Sequence, residues 1–273
     1  MNLTLNEFAG AVLRLAVWLV LLTLLFVPLE RWFGARHAPR PRPERRRELR
    51  HDLVYYVISS LVPVVVLSVP TALLAVAAAH VVPAALHTAV AGLPVAARIA
   101  LAFLVGEIGF YWGHRLSHEI PWLWRFHALH HGTAHMHFLA NTRTHPVDMV
   151  ITRLFGLVPL YLLGLAGPSV AGSAAPALLL IVGQLWGFFI HANVRWRLGP
   201  LEWIVTTPAF HHWHHTRQGH INRNYASTLP VLDRLFGSHY LPRHWPDAYG
   251  TDTPLADTVL GQLLDPLAPP RKS

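Results

Sequence analysis

The chain contains no cysteine. Disulfides, cysteine-held iron–sulfur clusters and a cysteine-ligated haem are excluded, and any metal must be bound through nitrogen or oxygen. Charge is scarce: Asp, Glu, Lys and Arg make up 13% of 273 residues, against 53% hydrophobic residues. A soluble domain carries about a quarter charged residues, so composition points to a membrane protein. Lysine is nearly missing. Lys272 is the single one, and the net charge of +8 comes from arginine. These arginines lie between apolar runs, which fits the positive-inside rule and argues against a nucleic-acid partner.

Five apolar runs, 8–28, 52–80, 95–112, 147–166 and 174–190, approach the ~20 residues that a spanning helix needs. The first has neither a basic start nor a small-residue cleavage site, so it reads as an anchor. Pro63 and Pro70 interrupt the second, which is expected to be one tilted, kinked helix. A basic linker, 30–51, joins these two runs. Its prolines Pro39, Pro41 and Pro43 argue against helix in its first half, and its second half is expected to start a helix along the membrane surface. Residues 81–97 form a neutral connector and 167–173 a tight turn. With the linker inside, 20 of the 22 basic residues fall on one side; only Arg14 and Arg98 lie opposite. This predicts an all-α integral membrane protein, a single domain of four to five transmembrane helices. Its N-terminus is outside, and residues 113–146 and 191–245 form a cytoplasmic helical cap. The arginine-rich, compact loops point to a bacterial inner membrane.

What the chain has in excess is histidine, 20 residues in all. His114 and His118 are four apart and share a helical face. His127, His130 and His131 follow the spacing H-x-x-H-H, and His211, His214 and His215 repeat it. At this histidine frequency the triplet is expected by chance about 0.1 times in the chain, yet it occurs twice. Two crossings between the clusters return the chain to the same side, so they can meet. Eight imidazoles exceed what one ion takes and fit two metal ions; iron, zinc, copper and nickel all accept imidazole. The first cluster continues the third span without a break, so the metals should lie at the membrane interface, within reach of a lipid chain.

The ordered run E-x3-YW-x-HRLSH, LWRFHALHH, R-x-HP-x-D, HANVRWRLGPLEW, TPAFHHWHH, NY and DRLFGS, over roughly residues 100–240, resembles the fatty acid hydroxylase/sterol desaturase superfamily. The resemblance implies a non-haem diiron enzyme that uses O2 to hydroxylate or desaturate a fatty-acyl, sterol-like or other membrane lipid. Electrons would come from a separate protein: a ferredoxin, a cytochrome b5-like protein or a reductase. It implies metal ligands at His114, His118, His127, His130, His131, His211, His214 and His215, with His191 a ninth and His145 a less certain tenth. Imidazole suits zinc as well as iron, so zinc is the alternative ion expected in purified protein.

Glu107 lies two helical turns before His114, and a carboxylate in an apolar span is costly. It is expected to accept a hydrogen bond from a ligating imidazole. Asp148 and Asp233 read as helix-end or packing residues. His212, His135 and His137 fall at positions without an assigned ligand role, and His220, His239 and His244 read as surface residues. Two other classes fit histidine-rich membrane chains. A zinc hydrolase would want H-E-x-x-H, which is missing. A metal transporter would line the spans themselves with polar groups, whereas here the histidines stand at span ends.

Overall fold

The computed structural model describes residues 5–35, 42–166 and 174–268. Part of the basic linker (36–41), the expected turn at 167–173 and the terminal Arg271 and Lys272 lie outside these residues. Helix α1 spans Leu5–Phe33, α2 Arg42–Val66, α3 Ser68–Val81, α4 Ala84–Ala91, α5 Val95–Glu119 and α6 Pro121–His131. A 3-10 turn, Phe138–Thr142, precedes α7 (Pro146–Leu162), and α8 is Ala174–His191. Short helices α9 (Pro208–His214), α10 (Val231–Leu235) and α11 (Val259–Leu264) complete the chain, and no strand occurs among the described residues.

Among the described residues, three stretches are long and apolar enough to cross a membrane: Ala9–Phe33, Pro43–Val81 and Val95–Glu119. Their large apolar side chains face outward at Leu13, Leu24, Val64, Val65 and Leu73, as a lipid-facing surface requires. The fourth expected run forms only the 17 residues of α7, about 25 Å of helix.

The second run is a helical span, Pro43–Val81, interrupted between Pro63 and Pro70. The basic stretch from Arg42 is already helical and continuous with the apolar part, and the break falls at Leu67, between α2 and α3. Pro70 has no N–H to give to the carbonyl four residues back, so the ladder is interrupted there. Ser68 Oγ reaches the Val65 carbonyl at 2.6 Å and Thr71 Oγ1 the Leu67 carbonyl at 2.6 Å. These hydroxyls supply donors where the backbone ladder is weakened. The connector at 81–97 also holds a helix, α4, after Pro83.

Two packing features position the histidine-bearing segments. Leu22 and Phe26 of α1, Tyr56 of α2, Phe138, Leu139, Phe188 and Val194 form one buried cluster, which ties the first two helices to the ends of α8 and the 3-10 turn. Helices α5 and α7 approach at Gly109, where an added Cβ would lie 2.2 Å from the Phe155 carbonyl oxygen. Gly113, one turn on, faces the Phe155 side chain, whose Cβ would lie 2.8 Å from an added Cβ. Small residues four apart let two helix backbones close together, and here they bring the start of α7 beside the first histidines.

Candidate metal centre

Helix α5 runs unbroken from its apolar part to Glu119, so His114 and His118 are carried on the last two turns of a membrane-length helix. Pro121 stands in the first turn of α6, where its missing N–H costs nothing. This turn folds α6 back so that His127, His130 and His131 face the α5 histidines. Thr207 caps α9 by accepting from the Phe210 N–H, and α9 carries His211 and His214, with His215 at its end. His191 is the last residue of α8.

The nine histidines gather into two buried groups. His114, His118, His127, His131 and His214 form one; His130, His191, His211 and His215 form the other. Within each group one nitrogen per residue lies within 4.8 Å of all the others. The groups are adjacent: the rings of His131 and His215 stack with centroids 4.3 Å apart. The partition follows helical geometry. In α6 the i and i+4 members, His127 and His131, enter the first group, and His130 at i+3 enters the second. In α9 the assignment is reversed, with His211 and His215 in the second group and His214 in the first.

Outer hydrogen bonds orient the rings. The Nδ1–H of His114 donates to the Tyr225 carbonyl at 2.6 Å, that of His130 to Arg143 at 3.2 Å, that of His191 to Gly187 at 2.7 Å, and that of His214 to Arg223 at 2.9 Å. A carbonyl only accepts, so in each neutral ring Nε2 is left with a bare lone pair. His130 and His191 then present two lone pairs to each other at 3.2 Å, a contact that repels until a cation stands between them. His211 Nε2 lies 2.9 Å and His215 Nε2 3.3 Å from the same His191 nitrogen. In the first group both nitrogens of His118, and Nε2 of His127, His131 and His214, are buried without a partner. Each orphaned buried nitrogen costs about 1–3 kcal/mol. The donor set therefore fits two cations bound by nitrogen.

Protonation points the same way. Burial, followed by the neighbouring His127, lowers His130 to about 4. Burial also holds His131, His211, His214 and His215 well below the usual imidazole range, with adjacent imidazoles adding to the effect. These rings are neutral at neutral pH, the form that ligates.

Other expectations need correction. Glu107 does not pair with an imidazole. Its carboxylate accepts from Ser227 Oγ at 2.9 Å, Thr228 N at 3.0 Å, Thr228 Oγ1 at 3.1 Å and Leu229 N at 3.3 Å. It fixes the loop that begins at Tyr225, whose carbonyl orients His114. His145 belongs to neither group, because both its nitrogens are used. Nδ1 accepts from Val147 N at 3.1 Å and caps α7, and Nε2 donates to the Leu263 carbonyl at 3.0 Å. His212 points away, bonded to Tyr249 Oη and the Ala192 carbonyl.

The carboxylate beside an imidazole is Asp148, 2.9 Å from His127 Nδ1. It stands in the first turn of α7, as a helix-end acid would, and also holds this ring. Asp233 is buried and accepts from Tyr225 N at 2.7 Å, Ala226 N at 2.9 Å and Ser238 Oγ at 2.7 Å. The sequence carried a signal for Asp148 in R-x-HP-x-D; nothing in the sequence showed which donors Asp233 meets.

A helical protein with membrane-length helices and two adjacent all-histidine groups is thus defined by fold and site together. The fatty acid hydroxylase family model matches residues 99–238, a segment that holds all nine histidines. The chain belongs to the fatty acid hydroxylase family. It is 36% identical over 179 residues to ornithine lipid hydroxylase OlsE of Rhizobium tropici, covering 64% of this chain and 52% of that protein. It is 36% identical over 138 residues to human alkylglycerol monooxygenase, covering 50% of this chain and 29% of that protein. It is 28% identical over 149 residues to methylsterol monooxygenase 2-2 of Arabidopsis thaliana, covering 53% of each. The chain spans about half or less of the length of these relatives. No solved structure matches it significantly.

Proposed function

We propose that the protein is an O2-dependent lipid hydroxylase of the membrane, with two iron ions held by the nine histidines. The observation that carries this reading is the meeting of two buried, nitrogen-only groups at the end of a membrane-length helix. Relatives named as hydroxylase and monooxygenases favour oxygen insertion over desaturation.

His114, His118, His127, His131 and His214 would hold one iron, and His130, His191, His211 and His215 the other. When bound and reduced, such a pair supplies O2 activation: one oxygen atom enters a C–H bond of the lipid, and the other leaves as water, using two electrons and two protons. The protein's own part is positional. Nδ1–H bonds to the carbonyls of Gly187, Arg143, Arg223 and Tyr225, and to Asp148, fix ring orientation and leave the opposite nitrogens inward. Trp124 packs against His118 and His131, with ring centroids 5.1 and 5.4 Å away, and keeps that side of the first group apolar. Low exposure keeps bulk water from the reacting centre.

In this reading the N-terminus is outside and the histidines are cytoplasmic, in a bacterial inner membrane, and a separate soluble or membrane-bound redox protein supplies electrons. The test is metal analysis of detergent-purified protein from iron-supplied cells, followed by incubation with membrane lipid, a reductase chain and 18O2. Two irons per chain and one labelled oxygen atom in a lipid product are expected. Tightly held zinc that iron cannot replace, with no product after iron reconstitution, would overturn the proposal in favour of a hydrolase.

A further inference from the structure

Asp52 and Arg143 form an ion pair in the protein interior, 4% and 5% exposed. Asp52 Oδ1 accepts from Arg143 Nε at 2.5 Å. Its other oxygen, Oδ2, lies 3.6 Å from His137 Nε2. His137 and Arg143 are the residues that flank the 3-10 turn Phe138–Thr142 on either side. One carboxylate from α2 therefore binds one end of that turn through Arg143 and lies beside its other end at His137. The turn matters because the Arg143 carbonyl accepts the Nδ1–H of His130, which sets the direction of a ring in the four-histidine group.

Buried ion pairs add little net stability, because desolvation offsets their attraction, but leaving one partner unpaired is costly. A pair retained at this depth is better understood through what it positions. Asp52 lies well before residue 99, where the family match begins. Neither the histidine motifs nor the matched segment assigns it a role. His127 in the five-histidine group is held by Asp148 directly. His130 is held by a main-chain carbonyl, and that carbonyl is only as well placed as the Arg143 side chain that anchors its residue.

We infer that Asp52 is a positioning residue for the four-histidine group, acting through Arg143 on His130. The inference rests on the proposed reading that this group holds a metal ion. It makes α2 part of the metal centre, and it predicts that the two ions respond differently to one substitution.

The test uses the full chain in detergent, stripped of metal and titrated with Co2+, whose d–d absorption reports ligand geometry without any oxygen chemistry. Wild type should bind two ions. Asp52→Asn should keep one tight ion and weaken the other about 10- to 100-fold, the usual effect of losing an outer partner. Asp52→Glu, which keeps the charge, should recover most of that affinity. Background variants then locate the effect. In His131→Ala protein, Asp52→Asn should weaken the remaining ion; in His211→Ala protein it should change nothing further. Two tight ions with a wild-type spectrum in Asp52→Asn, or equal effects in both backgrounds, would overturn the inference. If Asp52→Asn does not fold, Arg143→Gln, which removes the ion pair, takes its place, and wild-type affinity in that variant overturns it equally. Wild-type protein that binds no Co2+ would sink the metal reading itself, an outcome distinct from the failure of Asp52 alone.

Discussion

His127 Nδ1 lies 2.9 Å from Asp148 Oδ2, with both side chains almost fully buried. His127 is bonded to a carboxylate, whereas the outer bonds of His114, His130, His191 and His214 go to carbonyls. A carboxylate raises the basicity of the ligating nitrogen as well as orienting the ring. Asp148→Asn keeps the shape and removes the charge. It is expected to weaken metal binding in the five-histidine group about 10- to 100-fold. Chelator-release kinetics of the purified protein check this, and release at the wild-type rate would refute it.

Direct removal of a ligand should be more severe. His130→Ala and His214→Ala each take one nitrogen from a different group. Both are expected to lower metal content below two per chain and to abolish lipid oxidation. Elemental analysis combined with product assay decides the matter, and full metal with full activity in either variant would sink the ligand assignment.

The approach of α5 and α7 gives a test of packing. A Cβ at Gly109 would meet the Phe155 carbonyl oxygen at 2.2 Å and Gly156 Cα at 2.8 Å, contacts with backbone that cannot swing aside. Gly109→Ala should cost at least the about 1–3 kcal/mol typical of overpacking and separate the two helices. A lowered thermal midpoint in detergent is expected, with reduced metal retention because His114 and Asp148 sit on those helices. An unchanged midpoint would mean that the helices are less tightly apposed.

Acid should destabilise the metal-free protein. Burial lowers His130 to about 4, and His131, His211, His214 and His215 lie well below their ordinary value. In the unfolded chain these rings titrate near about 6.5. Between the two values the unfolded state binds protons that the folded state refuses, so stability is full above pH about 6.5 and falls as pH drops towards about 4. Each such histidine contributes up to about 1.4 kcal/mol per pH unit. Thermal midpoints of chelator-treated protein across this range should decline with falling pH; a flat profile would contradict the burial of neutral imidazoles.

Asp233 holds three donors at once, two backbone N–H groups and the Ser238 hydroxyl. Asp233→Ala leaves them unpaired in a buried loop, at a cost of about 1–3 kcal/mol each before relaxation. A loss of several kcal/mol, read as a lower denaturation midpoint, is expected. Because the Tyr225 carbonyl orients His114, metal retention should fall with it.

The sequence by itself determined the apolar helices, the helical faces of the histidine motifs and the family, because these depend on periodicity and local order along the chain. His114 and His118 had to share a face once α5 was a helix, and H-x-x-H-H had to send its middle histidine in a different direction from the outer two. The tertiary structure alone decided which ring joins which group. That depends on α6 and α9 meeting in reciprocal orientation, and no local spacing encodes it. It also decided the carboxylates. From the sequence Glu107 was the carboxylate expected beside an imidazole and Asp148 a helix-end or packing residue, but the loop at 227–229 supplies enough donors to occupy Glu107, while the start of α7 brings Asp148 to His127. Asp52 was legible only as the beginning of an apolar run; its role depends on a contact across 91 residues of chain. Long-range hydrogen bonding in a low-dielectric interior is set by which backbones pack together, and packing is a property of the assembled helices.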